Sequence, residues 1–277
     1  MTTVTEPALP RVRIRSVATA FLRMDSVEDF SYPLSMILSQ LGTIAPVFIY
    51  FFVGELVGAS DEVGDDYFTF AVIGLCVSAV LQSALSGFGG SLQRAQNRGT
   101  FETLLVEPVP WVFLPFAMNL WRVMLGVLGG TLIFMVGWAL GANYLFSGIP
   151  EFLVLLALGI LASMAVGILS ASLMVLAKRS QPVLTLYGLA SSLLAGALFS
   201  VDQLPPFLQT LSWAIPHTYV INSAREVLMD DPGTFSIPFG AAVVALSIFN
   251  VVVFGLGLWL FARSLQYARK MGMLSGY

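Results

Sequence analysis

Six stretches of this chain, at about 34–57, 68–92, 116–140, 152–177, 183–201 and 237–262, stay apolar for the depth of a bilayer. A hydrocarbon core about 30 Å thick needs roughly 20 residues of helix at 1.5 Å rise each. Lipid offers backbone groups no hydrogen bonds, so a continuous apolar run must pair them internally as a helix. Outer-membrane strands would alternate with period two, and these runs do not. Composition agrees: 57% of the 277 residues are hydrophobic and 10% charged, where a soluble domain carries about 25% charged residues. A soluble enzyme and a disordered chain are thereby excluded, and the net charge of −3 also excludes a nucleic-acid binder. One cysteine, Cys76, and one histidine, His217, leave no internal disulfide and no Cys- or His-rich metal site. The expected fold is an all-α integral membrane protein of six transmembrane helices.

Lys and Arg near span ends set orientation. With the N-terminus inside, twelve of the 13 basic residues lie on the cytoplasmic side, and Arg225 alone lies opposite. Asp61, Asp65, Asp66, Glu151, Asp202, Glu226, Asp230 and Asp231 crowd the outer side. Both termini are therefore expected in the cytoplasm of a multi-pass protein of the plasma (inner) membrane. Arg23, Asp25, Glu28 and Asp29 interrupt any signal-peptide core in residues 1–33. Val17, Phe21 and Leu22 with interspersed Arg fit an amphipathic helix on the inner leaflet from Arg13 onward; a disordered tail to Pro10 and an irregular connector is the alternative. Residues 34–262 then form the six-span domain, and 263–277 a cytoplasmic tail.

Two segments are neither span nor ordinary loop. After the second span, at about 98–108, Gly99 permits a sharp turn. Thr100 can cap a helix, Glu102 suits its dipole, and Phe101, Leu104 and Leu105 share a face. Pro108 and Pro110 end it. Periodicity alone fits equally a helix resting on lipid and one docking a cytosolic partner. Before the last span, at about 203–229, Leu204, Phe207, Leu208, Leu211 and Ile215 follow helical spacing between Pro205-Pro206 and Pro216. A second amphipathic turn follows, with Val220, Ala224, Val227 and Leu228 on one face and Asn222, Arg225 and Glu226 on the other. This region is too polar and Pro-broken to cross, and fits a re-entrant helical hairpin.

The run Arg98-Gly99-Thr100-x-Glu102-x-Leu104-Leu105-x-x-Pro108 resembles the coupling-helix region of the type-2 ATP-binding-cassette exporter permeases. Leu204-Pro205, Leu208-Gln209, Leu211-Ser212, Pro216, Tyr219 and Arg225 are similar to that family's re-entrant segment, with His217 a departure after the proline. The resemblance spans nearly the whole chain. It implies the membrane half of an exporter: a second, identical permease subunit, and two cytosolic ATPase subunits docked on Arg98, Gly99, Thr100, Phe101, Glu102, Leu104 and Leu105. It also implies an outer gate at Leu204, Phe207, Leu211, Pro216, His217, Tyr219 and Arg225. A P-loop needs Gly-Lys-[Ser/Thr], and neither Lys178 nor Lys270 follows a glycine. The chain is thus expected to bind no cofactor and to catalyse nothing, with ATP and Mg held by the partner.

Polar residues within spans are costly. Gln40, Ser78 and Gln82 are candidates for the transport path, with interhelical hydrogen bonding as the alternative. Gly126-Gly130, Gly159-Ser163-Gly167 and Gly188-Ser192-Gly196 read as close-packing ladders. No Asp, Glu or Lys occupies a span centre, which counts against an ion-coupled carrier or channel. An intramembrane enzyme would have only His217, Arg225 and Glu226 to work with. The cargo of the leading reading is an amphiphile: a drug, a lipid or a lipid-linked glycan.

Overall fold

The structure, a computed structural model, describes residues 14–58, 64–99, 112–177, 181–231 and 235–270, and no strand occurs among them. Helix α1 (Ile14–Ser31) ends where the Tyr32 amide donates to the Asp29 carbonyl at 3.1 Å, and the chain turns into α2 (Pro33–Gly58). Proline suits that first position because its missing amide would have no helical partner. Next come α3 (Gly64–Asn97), α4 (Leu114–Ala139) and α5 (Ile149–Ala177). They are followed by the shorter α6 (Gln181–Leu194), α7 (Pro206–Ser212) and α8 (Pro216–Leu228). The last helical run is α9 (Phe239–Phe249), a π-helical turn (Asn250–Phe254) and α10 (Gly255–Lys270).

Among the described residues, five helices are long and apolar enough to cross a membrane: Pro33–Leu56, Tyr67–Ala95, Leu114–Ala139, Phe146–Ser172 and Phe239–Ser264. The fifth of the six expected runs differs. Its helix stops at Leu194, and 14 residues at 1.5 Å each rise only about 21 Å, short of the ~30 Å core. Gly196 then takes a left-handed φ of 75°, which breaks the helix inside the apolar run. The sequence hides this break because residues 195–200 remain mostly apolar.

Helix α3 is the axis of the molecule, with α2, α4, α5 and α8 packed around it. Toward one end, Val72, Ile73, Val77 and Leu81 of α3 bury against Leu155 of α5 and Val220, Ile221 and Leu228 of α8. Toward the other, Phe88 meets Phe261 edge-on at 5.3 Å, with Leu92, Met118 and Ile168 around them. Helix α1 lies across this second end on α4 and α2, with Val17, Phe21 and Leu22 partly buried. Asp25 of α1 is buried too, at 6% exposure. Burial pushes its carboxyl above the usual range, while the guanidiniums of Arg94 and Arg122 pull it back.

The contact between α3 and the broken end of α6 leaves no room for a side chain at Gly74. A Cβ there would lie 1.9 Å from the Ala197 carbonyl oxygen and 2.8 Å from an Arg225 nitrogen. Gly74→Ala should therefore destabilise the protein by about 1–3 kcal/mol, the usual cost of overpacking. Gly240→Ala, where nothing lies within 4 Å, should stay within about 0.5 kcal/mol of wild type. Thermal unfolding of the two purified variants in detergent compares them directly.

Candidate functional site: a polar cleft beside a braced helical hairpin

Four helices that carry Ser, Thr, Gln and Gly at helical spacing turn those residues toward one another. Ser39, Gln40 and Thr43 of α2 face Gln82, Ser83, Ser86 and Gly90 of α3, Arg122, Gly126 and Gly129 of α4, and Thr185, Gly188 and Ser192 of α6. They line a cleft of about 620 Å³. Ser39 and Ser86 are exposed, so the cleft is open in the single chain. Gln82 donates from Nε2 to the Gly188 carbonyl at 2.9 Å and ties α3 to α6. The Gln40 Oε1 atom is buried without a hydrogen-bond partner. Gln40 and Gln82 thus line this space, whereas Ser78 lies outside its lining.

A second space of about 270 Å³ shares Ser39, Gln40, Arg122 and Leu125 with the cleft and adds Glu28, Asp29, Tyr32 and Ser35. The cleft therefore continues to the α1 end of the molecule. There Asp29 accepts a hydrogen bond from Trp121 Nε1 at 2.6 Å and lies 3.8 Å from an Arg122 nitrogen. Glu28 pairs with Arg98, the residue just after α3. Gly99 beside it has a left-handed φ of 68°. Thr100, Phe101, Glu102, Leu104 and Leu105 lie outside the described residues.

At the opposite end α7 and α8 form a hairpin. Gln209 donates to the carbonyls of Asp202 and Leu204 at 3.1 and 2.8 Å, Thr218 Oγ1 to that of Ser212 at 2.7 Å, and Tyr219 to that of Trp213 at 2.9 Å. These bonds shape the turn between the helices. Phe207 and Leu211 point outward at 67% and 52% exposure, and Leu204 is half-buried. Pro216 is buried at the α8 start. His217 is buried at the turn beside Tyr187, ring centroids 6.1 Å apart, with neither ring nitrogen hydrogen-bonded.

Arg225 is placed differently from the sequence expectation of a polar outer face. It is wholly buried, and so is Asn222 one turn away. The guanidinium donates to the carbonyls of Gly196 at 2.7 Å, Ala197 at 2.8 Å and Phe70 at 3.2 Å, and stacks on the Phe70 ring. Asn222 Nδ2 donates to Ala195 at 3.3 Å and to Thr218 at 2.8 Å. Tyr67 reaches the Leu198 carbonyl at 3.5 Å. Four consecutive carbonyls past the end of α6 are thus met by side chains of α8 and α3. The periodicity argument missed this because an i, i+3 pair of polar residues opposite an apolar face reads as solvated. The signal available was Gly196 inside an apolar run, with Asn222 and Arg225 at helical spacing downstream.

The sequence was compared with known proteins. The model of the ABC-2 type transporter family matches residues 34–229, from the start of α2 to the end of the hairpin. This chain belongs to that family. Nodulation protein J of Sinorhizobium fredii is 29% identical over 225 residues, covering 78% of this chain and 80% of that protein. The inner membrane transport permease YadH of Escherichia coli is 27% identical over 215 residues, covering 75% and 82%. The ABC-2 permease is thus a multi-pass transport subunit, and its family implies an ABC ATPase as partner.

Arg225→Lys keeps the charge but replaces a planar fork with a point donor that cannot reach three carbonyls at once. Each buried carbonyl left unpaired costs about 1–3 kcal/mol, so the variant should lose about 2–4 kcal/mol. Arg263→Lys on the exposed face of α10 should change stability by less than about 0.5 kcal/mol. Melting curves of both in detergent make the comparison.

Proposed function

We propose that this permease is the membrane half of an ABC exporter that moves an amphiphile outward through the cleft between α2, α3, α4 and α6. The observation that carries this reading is the cleft itself: a continuous space of hydroxyl, amide and glycine surface running from the α1 end toward the hairpin. Such surface facing lipid would leave Ser39 and Gln40 without partners in hydrocarbon, so a second copy of the chain covers it and the pair encloses the path. The head group of an amphiphile meets the polar lining while its apolar part stays toward lipid. A drug, a lipid and a lipid-linked glycan all have this form.

The α1 end faces the cytoplasm of the inner membrane, a reading supported by the positive-inside bias of Lys and Arg in the sequence, and both termini lie there. Residues 98–108 form the coupling helix on which each of two ATPase subunits docks, with ATP and Mg bound by the partner. Arg98, where that segment begins, pairs with Glu28 of α1. The α7–α8 hairpin is re-entrant: 13 residues of α8 reach about 20 Å inward from the outer surface, placing His217 near mid-membrane. Helix α6 with the irregular backbone after it makes the sixth crossing.

Two variants separate docking from passage. Phe101→Ala with Leu104→Ala removes apolar burial of about 3–6 kcal/mol before association costs, and should release the ATPase in co-purification while leaving a folded permease dimer. Ser86→Trp fills the cleft and should abolish transport in reconstituted vesicles while the ATPase stays bound. If the double variant keeps its ATPase, residues 98–108 are not the docking site. If Ser86→Trp transports normally, the cleft is not the path.

A further inference from the structure

We propose that Arg122 is the cargo-selecting residue of the cleft, and that it takes the anionic, phosphate-class head group of a membrane amphiphile. The inference rests on the cleft being the path and adds the chemical class of what enters it. Among the described residues, Arg122 is the sole charged residue in the lining of the large space, and it also lines the smaller one at the α1 end. It therefore stands on the wall common to both, where a head group passes from the mouth into the cleft.

Among the described residues, no charged group holds Arg122 closely. Glu28, on the same mouth, is paired with Arg98. Asp29 commits one oxygen to Trp121 at 2.6 Å and offers Arg122 the other only at 3.8 Å, beyond hydrogen-bond distance. Asp25 of α1 is buried and feels both Arg94 and Arg122 electrostatically, but makes no ion pair within 4 Å with either. Arg94 donates to Ser91 at 2.7 Å, inside its own helix. Arg122, with 36% of its side chain exposed, thus has donors to spare and faces an open polar space. A phosphate accepts two parallel hydrogen bonds from a guanidinium, which the loose Asp29 contact does not supply. An arriving head group replaces Asp29 as the counter-ion, and Asp29 stays in place through Trp121. Past that point the lining mixes neutral amides and hydroxyls with leucine and glycine and carries no further charge among the described residues, which lets the head group move on.

The test uses the full-length permease in detergent, with dioctanoyl phosphatidic acid and the matching neutral dioctanoylglycerol as probes and binding read by thermophoresis. Wild type should bind the phosphate lipid at least tenfold more tightly than the neutral one. Arg122→Gln should erase that preference with melting unchanged, Arg122→Lys should keep only part of it because a point charge cannot form the paired hydrogen bonds, and Asp29→Asn should widen it several-fold. The inference falls if Arg122→Gln retains the preference or if Asp29→Asn weakens it. Tenfold excess inorganic phosphate should displace little of the lipid, and full displacement would make this a soluble-anion site and overturn the proposal. Ser86→Trp should weaken both probes. Equal binding of the two lipids, both lost in Ser86→Trp, defeats the role of Arg122 and leaves the cleft standing, while binding untouched by Ser86→Trp defeats both.

Discussion

A helix that ends inside an apolar layer leaves its last carbonyls without partners, and lipid provides none. That constraint organises the hairpin end of this permease. Helix α6 stops at Leu194, and the carbonyls of Ala195, Gly196, Ala197 and Leu198 are met in turn by Asn222, Arg225 and Tyr67. The aligned peptide dipoles give the end of a helix negative character, which favours a cation there. A buried guanidinium is expensive by several kcal/mol unless its donors are filled, and the break in α6 fills them. The break and the arginine therefore require each other: a continuous α6 would strand Arg225, and a neutral residue at 225 would strand the carbonyls.

Close approach of backbones follows from the same brace. Arg225 reaches Phe70 only because Gly74 on the next turn of α3 carries no side chain. On its other side α8 is held to the start of α5: the Leu145 amide donates to the Leu228 carbonyl at 2.8 Å, and a Cβ at Gly148 would lie 1.8 Å from the Val227 carbonyl oxygen. Farther along α5, a Cβ at Gly159 would meet Val220 at 2.7 Å. Helix α8 is thus wedged between α3 and α5 by backbone contacts. Helix α7 has no comparable anchor and turns Phe207 and Leu211 outward.

The long apolar runs made the fold class and five of the helices legible, because burial in lipid imposes one periodic demand on every residue of a span. Family membership was legible in the paired segments around Arg98 and Pro216, where function constrains residue type and spacing together. The amphipathic N-terminal helix could be read from Val17, Phe21 and Leu22. The end of α6 could not, since Leu194 to Val201 is as apolar as any span and only the αL turn at Gly196 stops it. Nor could the inward direction of Asn222 and Arg225. Hydropathy reports the average preference of a side chain for water, and these two are stabilised by particular carbonyls that exist only once α6 has broken. Gln40 and Gln82 were legible as path candidates because glutamine in a span is rare, whereas serine is common at helix contacts and Ser78 lies outside the cleft lining.

The two ends of the molecule are held by interactions of different strength, and this gives the proposed transport cycle a direction. At the hairpin end, Asn222 and Arg225 in a dry interior are each fixed by several hydrogen bonds, and removing either exposes unsatisfied atoms. At the α1 end the ion pairs are Glu28–Arg98 and Asp29–Arg122, both partly exposed, and such pairs contribute about 0–1 kcal/mol, with the single Trp121–Asp29 hydrogen bond beside them. Rearranging α1 against α3 and α4 therefore costs far less than moving α8 against α3 and α5. Arg98 sits one residue before the turn into the proposed coupling helix, so force applied there meets the weaker set of contacts first. On that proposal, the mouth lined by Glu28, Asp29 and Arg122 is the part of the cleft that a docked ATPase would open or close at least cost, while the braced α8 stays a fixed wall behind it.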